Sequence, residues 1–192
     1  MLVRSFKIFS ERLRSTSKFV FCRQQAHMQT QTKETSYESY TRVSQDYDKY
    51  RRVVGVDVIE NAVYTLCRLH QLQADKYGGF ESLQILDAGC GTGNYLQMLN
   101  GRGYKNLFGI DINDGMFTSC SKKFESNAHV HLIKGSLLDL GKYFDCNSMD
   151  IVMANQVIHH LDTGKTREND FKNIRQFFSN VYHILRPGGY FY

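Results

Sequence analysis

The sequence predicts an α/β domain with a doubly wound, mainly parallel sheet. From Leu83 onward, short apolar runs alternate with segments in which apolar residues recur every three or four positions. That alternation is typical of strands connected by helices. The first apolar run leads into a turn at residues 87–93 that carries Gly89, Gly91 and Gly93. A glycine-rich turn between a strand and a helix favours a nucleotide-binding sheet.

The hydrophobic pattern gives each element in order. We predict strands at residues 83–88, 106–111, 130–134 and 149–154, with a fifth strand beginning at Tyr190. We predict helices at residues 93–100, at 113–124 with Asn113 as N-cap, and at 168–185. The last helix is expected to bury Phe171, Ile174, Phe177, Phe178, Val181 and Leu185. Residues 186–189 (Arg-Pro-Gly-Gly) should end it, so we expect the sheet to be truncated just after the start of its fifth strand.

Residues 34–82 are predicted to form an N-terminal cap segment. Residues 36–54 are rich in tyrosine and charge, and a helix follows that Gly78 and Gly79 should end. The tyrosines are either ordinary surface and packing residues or part of a lid over a ligand. The residues expected on the buried face of the helix are Val56, Ile59, Val63, Leu66 and Leu69.

Residues 1–33 differ in composition from the rest of the chain. Seven basic residues occur there with one acid, Glu11, so the segment carries 7 − 1 = +6 and the remainder 5 − 6 = −1. Leu2, Phe6, Phe9 and Leu13 follow helical spacing among the arginines and lysines, the pattern of a mitochondrial transit peptide. A disordered basic tail is the alternative. Because the remainder is nearly neutral, no nucleic-acid partner is expected.

Five scattered cysteines without a CxxC motif indicate reduced thiols rather than a disulfide framework or a metal site. We therefore expect an intracellular, reducing location, either the mitochondrial matrix or the cytoplasm. No apolar run approaches the roughly 18 residues of a membrane span.

Glycine or polar residues follow four of the predicted strands. In an open α/β sheet the ligand binds at the carboxyl ends of the strands, so these residues should meet there. Glycine lets a backbone approach a ligand closely, and Asp111, 18 residues past Gly93, is suited to accept bonds from two adjacent ribose hydroxyls. The candidate residues at the strand ends are Gly89, Gly91, Gly93, Asp111, Ser136, Leu137 and Asn155, with His159 and His160 just beyond.

The spacing of the turn argues against a dinucleotide. A dinucleotide fingerprint is GxGxxG, and its third glycine would occupy position 94, where the chain has Asn94. At this point the sequence resembles the class I S-adenosylmethionine-dependent methyltransferases, which have a Rossmann-like sheet. The resemblance covers about residues 83–192. It rests on LDAGCGTG (86–93), GIDIN (109–113), KGSLLDL (134–140), MDIVMANQVIHHL (149–161) and ILRPGGYFY (184–192).

The resemblance implies a role for each matching residue. Asp87, Gly89, Cys90, Gly91 and Gly93 would line the methionine and ribose part of the cofactor, S-adenosyl-L-methionine. Asp111 would bind the ribose, Ile112 the adenine face, Ser136 and Leu137 the adenine edge, and Asn155 the underside of the methionine. Many relatives have aspartate at position 136, so adenine recognition should be weaker here. Tyr47, Tyr50 and Arg51 resemble, with less specificity, the family's cofactor-covering segment.

The implied reaction is in-line methyl transfer to a small-molecule acceptor that the sequence does not identify. His159 or His160 is a candidate general base, although a helix-start or packing role is the favoured interpretation of both. Cys90 lies inside the turn and is expected to be a small buried residue rather than a nucleophile. The alternative is a non-catalytic cofactor-binding or scaffold remnant, because the sheet's end is expected to be missing. A nicotinamide-dependent oxidoreductase is disfavoured by Asn94 and by the other four motifs.

Overall fold

The computed structural model describes Ser44, residues 46–69, 79–161 and 171–192, except for the side chains of Tyr50 and Leu69. All of them belong to the compact unit Glu34–Tyr192. The predicted transit peptide and the tyrosines before Ser44 lie outside the described residues. No helix in the described ranges is long and apolar enough to cross a membrane.

The helices and strands alternate along the chain as predicted. The strands are β1 (Gln84–Ala88), β2 (Asn106–Asp111), β3 (Val130–Lys134), β4 (Met149–Met153) and β5 (Leu185–Phe191). The α-helices are α1 (Tyr47–Tyr50), α2 (Val56–Leu69), α3 (Asn94–Gly101), α4 (Asp114–Lys123) and α5 (Lys172–Ile184). Short 3-10 helices occupy Gly79–Ser82, Leu137–Lys142 and Ile158–His160.

The five strands form one parallel sheet in the order β3-β2-β1-β4-β5. The direction of winding reverses between β1 and β4, and ligands of open α/β sheets bind outside the strand ends at such a point. The predicted doubly wound, Rossmann-like fold is therefore confirmed. The switch point lies immediately beside the glycine-rich turn that follows β1.

The sheet is covered on both faces because side chains alternate along each strand. Ile85 and Ile151 point to the face covered by α2, α3 and α4, where Ile59, Leu96 and Phe124 are buried. Leu86 and Val152 point to the opposite face, which α5 and the 3-10 helix Leu137–Lys142 cover. The buried residues contributed by these two elements are Phe177, Val181, Ile184, Leu137 and Leu140.

The predicted boundaries at the end of the chain were wrong. The strand β5 begins at Leu185, five residues before the predicted start at Tyr190, and contains the Arg-Pro-Gly-Gly sequence that was expected to be a loop. A register shift against β4 between Met149 and Ile151 accommodates the extra residues. Pro187 fits within this strand because β5 is an edge of the described sheet, where a missing backbone N–H is tolerated.

The predicted buried face of the last helix was also partly wrong. Phe171 adopts a left-handed conformation before α5 begins and is 54% exposed, and Phe178 is 42% exposed. Phe177, Val181 and Ile184 are buried in the sheet core, and Ile174 and Leu185 are partly buried against it, as predicted. Phe178 instead contacts Phe191 edge-to-face, with ring centroids 5.3 Å apart.

The helix of the N-terminal segment has the predicted apolar face. Ile59, Val63 and Leu66 are buried in the core, and Val56 is half-buried. The prediction that Gly78 and Gly79 end this helix stays a prediction, because α2 is described over Val56–Leu69 and the description resumes at Gly79, which begins a 3-10 helix. Residues 70–78 lie outside the described residues.

Candidate functional site

The candidate site lies where β1 ends, in the turn that leads into α3. The amides of Gly89 and Cys90 both donate to the carbonyl of Ile110 in β2, at 2.8 and 3.1 Å. The amide of Gly93 donates to the carbonyl of Cys90 at 2.8 Å, which closes the turn just before α3 begins at Asn94. The backbone of the turn is thus held by the neighbouring strand and by itself.

All three glycines of the turn have positive φ, at 85° for Gly89, 54° for Gly91 and 82° for Gly93. A Cβ on Gly89 would lie 2.5 Å from Val157, and one on Gly93 would lie 2.7 Å from Cys120. A Cβ on Gly91 would meet no atom within 4 Å. Gly89 and Gly93 are therefore required by packing, whereas Gly91 borders open space in which a ligand has room to lie.

Two buried polar atoms beside this space lack a hydrogen-bond partner among the described residues. They are Oδ2 of Asp87, at the end of β1, and Nδ2 of Asn155, just after β4. Both residues line a cleft of about 500 Å³, including its open mouth, together with the glycine turn. Burial, and secondarily the charge of Asp111, raises the pKa of Asp87 to about 7. Because buried polar groups are almost always paired, an acceptor and a donor here both lack partners that a ligand would supply.

Asp111 at the end of β2 already has backbone partners. Its Oδ2 accepts from the amide of Gly91 at 2.8 Å, and its Oδ1 accepts from the amide of Asn113 at 2.7 Å. Burial raises the pKa of Asp111, although these hydrogen bonds oppose the shift. A carboxylate offers about four lone-pair positions, so the same side chain retains capacity for ligand hydroxyls.

The remaining residues predicted to contact an adenine ring surround the ends of β2 and β3. Ile112 is 50% exposed. The Ser136 hydroxyl accepts from the amide of Leu138 at 3.2 Å and so caps the 3-10 helix. Leu137 is buried in the core, and its carbonyl accepts from Nδ2 of Asn180 at 3.3 Å. None of the three lines the cleft of Asp87 and Asn155.

Residues 46–54, which we call the strap, lie against the glycine turn. Asp48 accepts from the Thr92 hydroxyl at 2.5 Å and from Nζ of Lys123 at 2.8 Å. Lys123 also donates to the Asn94 side chain at 2.8 Å, which links the strap to α3 and α4. Burial opposes ionisation of Asp48, but the bonds from Lys123 and Thr92 outweigh it and lower the pKa of Asp48.

Further contacts hold the part of the strap nearer Val54. The Tyr95 hydroxyl donates to the carbonyl of Val54 at 3.1 Å. Nη1 of Arg51 donates to Oε1 of Gln156 at 2.5 Å, and the guanidinium lies 5.7 Å from the centre of the Tyr47 ring. Tyr47 and Arg51 both line the cleft, whereas the side chain of Tyr50 is outside the described residues, and the lid stays a prediction.

The two histidines lie just past Asn155 in the 3-10 helix Ile158–His160, with ring centroids 3.9 Å apart. His159 is exposed and His160 is half-buried. Burial, and then the nearby His159, lowers the pKa of His160. Neither ring lines the cleft. Cys90 is buried, and a hydrogen bond with Cys120 together with burial raises the pKa of its thiol, so it is a poor nucleophile.

Sequence reasoning did not identify Asp48, Thr92, Lys123 and Arg52 as site residues. Arg52 lines the cleft beside Arg51. The other three form the contact between the strap and the turn. Asp48 and Lys123 are 75 positions apart, and no local pattern in a sequence links residues at that distance. Thr92 lies within the predicted turn, and its position there, with a small polar side chain, was the signal that could have identified it as a site residue.

Comparison with known proteins places the chain among methyl-transferring domains. The family model described as a methyltransferase domain matches residues 86–192, more than half of the chain. The match begins inside β1 and extends through β2, β3, β4 and β5.

Individual relatives are distant and longer. The biotin biosynthesis bifunctional protein BioHC of Teredinibacter turnerae is 26% identical over 185 residues, covering 89% of this chain and 28% of that protein. The ubiquinone biosynthesis O-methyltransferase of Rickettsia bellii is 26% identical over 114 residues, covering 59% of this chain and 42% of its own length. The chain thus spans less than half the length of these curated relatives.

Solved structures support the fold. A chain in the complex between the Haloferax volcanii Trm112 methyltransferase activator and a candidate methyltransferase aligns with a TM-score of 0.55. The alignment covers 81% of this chain and 56% of that one, at 17% sequence identity.

Proposed function

Because the chain belongs to the methyltransferase-domain family, we propose that it binds S-adenosylmethionine in the cleft beside Asp87 and Asn155. We further propose that it transfers the methyl group to a small-molecule acceptor by in-line displacement. The observation that carries the proposal is a pair of buried atoms that lack a partner among the described residues, Oδ2 of Asp87 and Nδ2 of Asn155, in residues that line one cleft at the switch point of the sheet.

The residues of the cleft fit the amino-acid end of the cofactor. That end carries an ammonium group, which donates hydrogen bonds, and a carboxylate, which accepts them. Asp87 offers a buried acceptor and Asn155 a buried donor, so each of these two groups has a complementary group on the ligand. The open space beside Gly91 gives the ligand close access to the backbone of the turn.

The adenosine end suits the ends of β2 and β3. Asp111 has lone pairs left for ribose hydroxyls after accepting two backbone amides. Ile112 presents an exposed apolar side chain to a flat base. Ser136 has its oxygen engaged in capping, which supports the prediction that recognition of the adenine edge is weaker here than in relatives with aspartate.

When bound, the cofactor's sulfonium supplies the methyl group. The contribution of the protein is to hold the reacting atoms and to exclude water. Tyr47 and Arg51 line the mouth of the cleft, and the bonds of Asp48 to Thr92 and Lys123 fix the strap that carries them. Positioning of this kind accounts for a large part of the rate enhancement in reactions between bound partners.

A general base is needed only for an acceptor whose attacking atom carries a proton. We assign that role to His159 or His160, which lie in the 3-10 helix just past Asn155, although neither ring lines the described cleft. We also propose that residues 1–33 direct the chain to mitochondria, on the basis of their basic, acid-poor composition. A fluorescent fusion that stays diffuse in the cytosol would reject the targeting proposal.

Calorimetric titration tests the cofactor assignment. We expect the full chain to bind S-adenosylhomocysteine and to give no heat with NAD, because the third fingerprint glycine is replaced by Asn94. Transfer of the tritium-labelled methyl group from S-adenosylmethionine to candidate acids, phenols and amines then tests turnover. Binding of NAD without any response to S-adenosylhomocysteine would overturn the proposal. Cofactor binding without transfer to any acceptor would favour the non-catalytic alternative.

A further inference from the structure

The cleft has an unusual charge distribution at its mouth. Among the described residues that line it, the charged side chains are Arg51, Arg52 and Asp87. Asp87 is buried at the base, while both arginines are exposed on the strap. The mouth is therefore positively charged, and the opposing negative charge lies at the bottom.

The acids of the strap do not neutralise these arginines. Asp46 is paired with Lys49, and Asp48 with Lys123 and Thr92. Within the described ranges, neither Arg51 nor Arg52 forms an ion pair with an aspartate or glutamate. Arg51 and Arg52 both line this cleft, and a guanidinium group suits a carboxylate or phosphate because it presents several N–H donors in a rigid plane.

The two arginines have different local surroundings. Arg51 is fixed by Gln156 and by the Tyr47 ring, and Gln156 directly follows Asn155. Arg51 therefore belongs to the side of the cleft where the amino-acid end of the cofactor is proposed to lie. That end has a single carboxylate, which one arginine and Asn155 suffice to bind. Arg52 is left as a second cationic group at the same mouth.

We propose that Arg52 binds an acidic group of the methyl acceptor, so that the acceptor is an organic acid carrying a carboxylate or a phosphate. This inference rests on the proposed function, since it requires the cofactor to occupy the base of the cleft. The anion would lie at the entrance beside the strap, where the positive charges of Arg51 and Arg52 attract it.

The test uses the full chain saturated with S-adenosylhomocysteine, and malonate and inorganic phosphate as anionic probes. Titrations are followed by NMR of ¹⁵N-labelled protein, with sodium chloride at matched ionic strength as the blank. We expect at least one probe to bind alongside S-adenosylhomocysteine. Arg52→Gln should weaken that binding at least tenfold and change the affinity for S-adenosylhomocysteine less than twofold.

Two matched variants sharpen the result. Arg52→Lys should retain part of the anion binding, since it keeps the charge but loses the planar donor pair. Arg102→Gln removes an arginine that is paired with Glu60 and does not line the cleft, and it should leave anion binding unchanged.

Other outcomes would overturn the inference. If malonate displaces S-adenosylhomocysteine, the arginines bind the cofactor's own carboxylate. The same conclusion follows if Arg52→Gln lowers the affinity for S-adenosylhomocysteine but not for 5′-methylthioadenosine, which lacks the amino-acid end. Absence of binding by both probes, in a protein that does bind S-adenosylhomocysteine, would contradict the inference and leave the cofactor proposal intact. A protein that binds no S-adenosylhomocysteine would contradict both.

Discussion

The two halves of the candidate site satisfy their polar groups in opposite ways. In the half formed by the glycine turn, the strap and the end of β4, Asp87 is buried and Asn155 is half-buried, and each has one buried atom without a partner among the described residues. In the half formed by the ends of β2 and β3, Asp111 accepts two backbone amides and Ser136 caps a 3-10 helix. The first half we call the enclosed half and the second the open half.

The difference indicates where the fold is stable by itself and where it is built for a ligand. Polar groups of the open half contribute to stability without any ligand, because their hydrogen bonds are intramolecular. In the enclosed half, burial of an unpaired carboxyl costs free energy that a bound cation would recover. The two halves should therefore respond to mutation with opposite effects on stability.

The largest expected effect comes from the turn that joins the halves. Gly93→Ala should lower the free energy of unfolding by about 2–4 kcal/mol, because a left-handed alanine is strained and its Cβ would lie 2.7 Å from both Cys120 and Phe124. Urea denaturation measures the change. Gly101→Ala, at a helical position with nothing within 4 Å of its Cβ, is the control and should stay within about 1 kcal/mol of the wild type. Equal stabilities for the two variants would show that the turn is not packed as described.

The open half is tested by Asp111→Ala. The amides of Gly91 and Asn113 lose their acceptor, so unfolding should become easier by about 1–2 kcal/mol. Affinity for S-adenosylhomocysteine should also fall by about 1–3 kcal/mol, through loss of charge-assisted bonds to ribose. Thermal denaturation and calorimetry measure the two effects. Unchanged affinity would remove Asp111 from the site.

The enclosed half is tested by Asp87→Asn, which should change stability in the opposite direction. The folded pKa of Asp87, about 7, lies above its usual value of 3.8. The folded state then holds the proton more tightly than the unfolded state, so stability falls as pH rises from about 4 to 7. Asp87→Asn removes this cost and should raise the free energy of unfolding at pH 8 by about 1–3 kcal/mol. It should also weaken the binding of S-adenosylhomocysteine by about 1–3 kcal/mol.

The same carboxyl predicts a pH dependence of binding. Below pH 7 Asp87 must release its proton before it pairs with the ligand's ammonium group. Affinity should therefore fall about tenfold per pH unit below the pKa and level off above it. Calorimetry between pH 5.5 and 8.5 measures the profile, with Asp87→Asn as a flat control. A wild-type profile without this slope would place the cation elsewhere.

How much of this could be predicted from sequence differs between the halves. Local periodicity and motifs predict the order of strands and helices along the chain, and the structure has that order. They also predict the N-cap Asn113 and the positions of Asp111 and Asn155 at strand ends, which the structure has as well. The strap contacts do not, because Asp48 meets Thr92 and Lys123 across 44 and 75 positions. The start of β5 was missed because Pro and Gly normally indicate a loop, and only pairing with β4 extends the strand through them.

The smallest expected effect concerns the strap. Asp48→Asn replaces a partly exposed ion pair with Lys123 and should change stability by no more than about 1 kcal/mol. It should speed release of S-adenosylhomocysteine a few-fold, because the strap is then held less firmly against Thr92. Stopped-flow displacement measures the rate, with Asp46→Asn as the matched control outside this contact. Identical release rates would show that the strap does not retain the ligand.

Hydrogen–deuterium exchange of the full chain with and without S-adenosylhomocysteine tests the central claim most directly, namely that the ligand is enclosed between the strap and the glycine turn. The account predicts slower exchange on binding in peptides covering residues 46–54 and 89–94, with a smaller change near residues 111–113, where Asp111 already accepts backbone amides without ligand. Binding that leaves both residues 46–54 and 89–94 unprotected would contradict it.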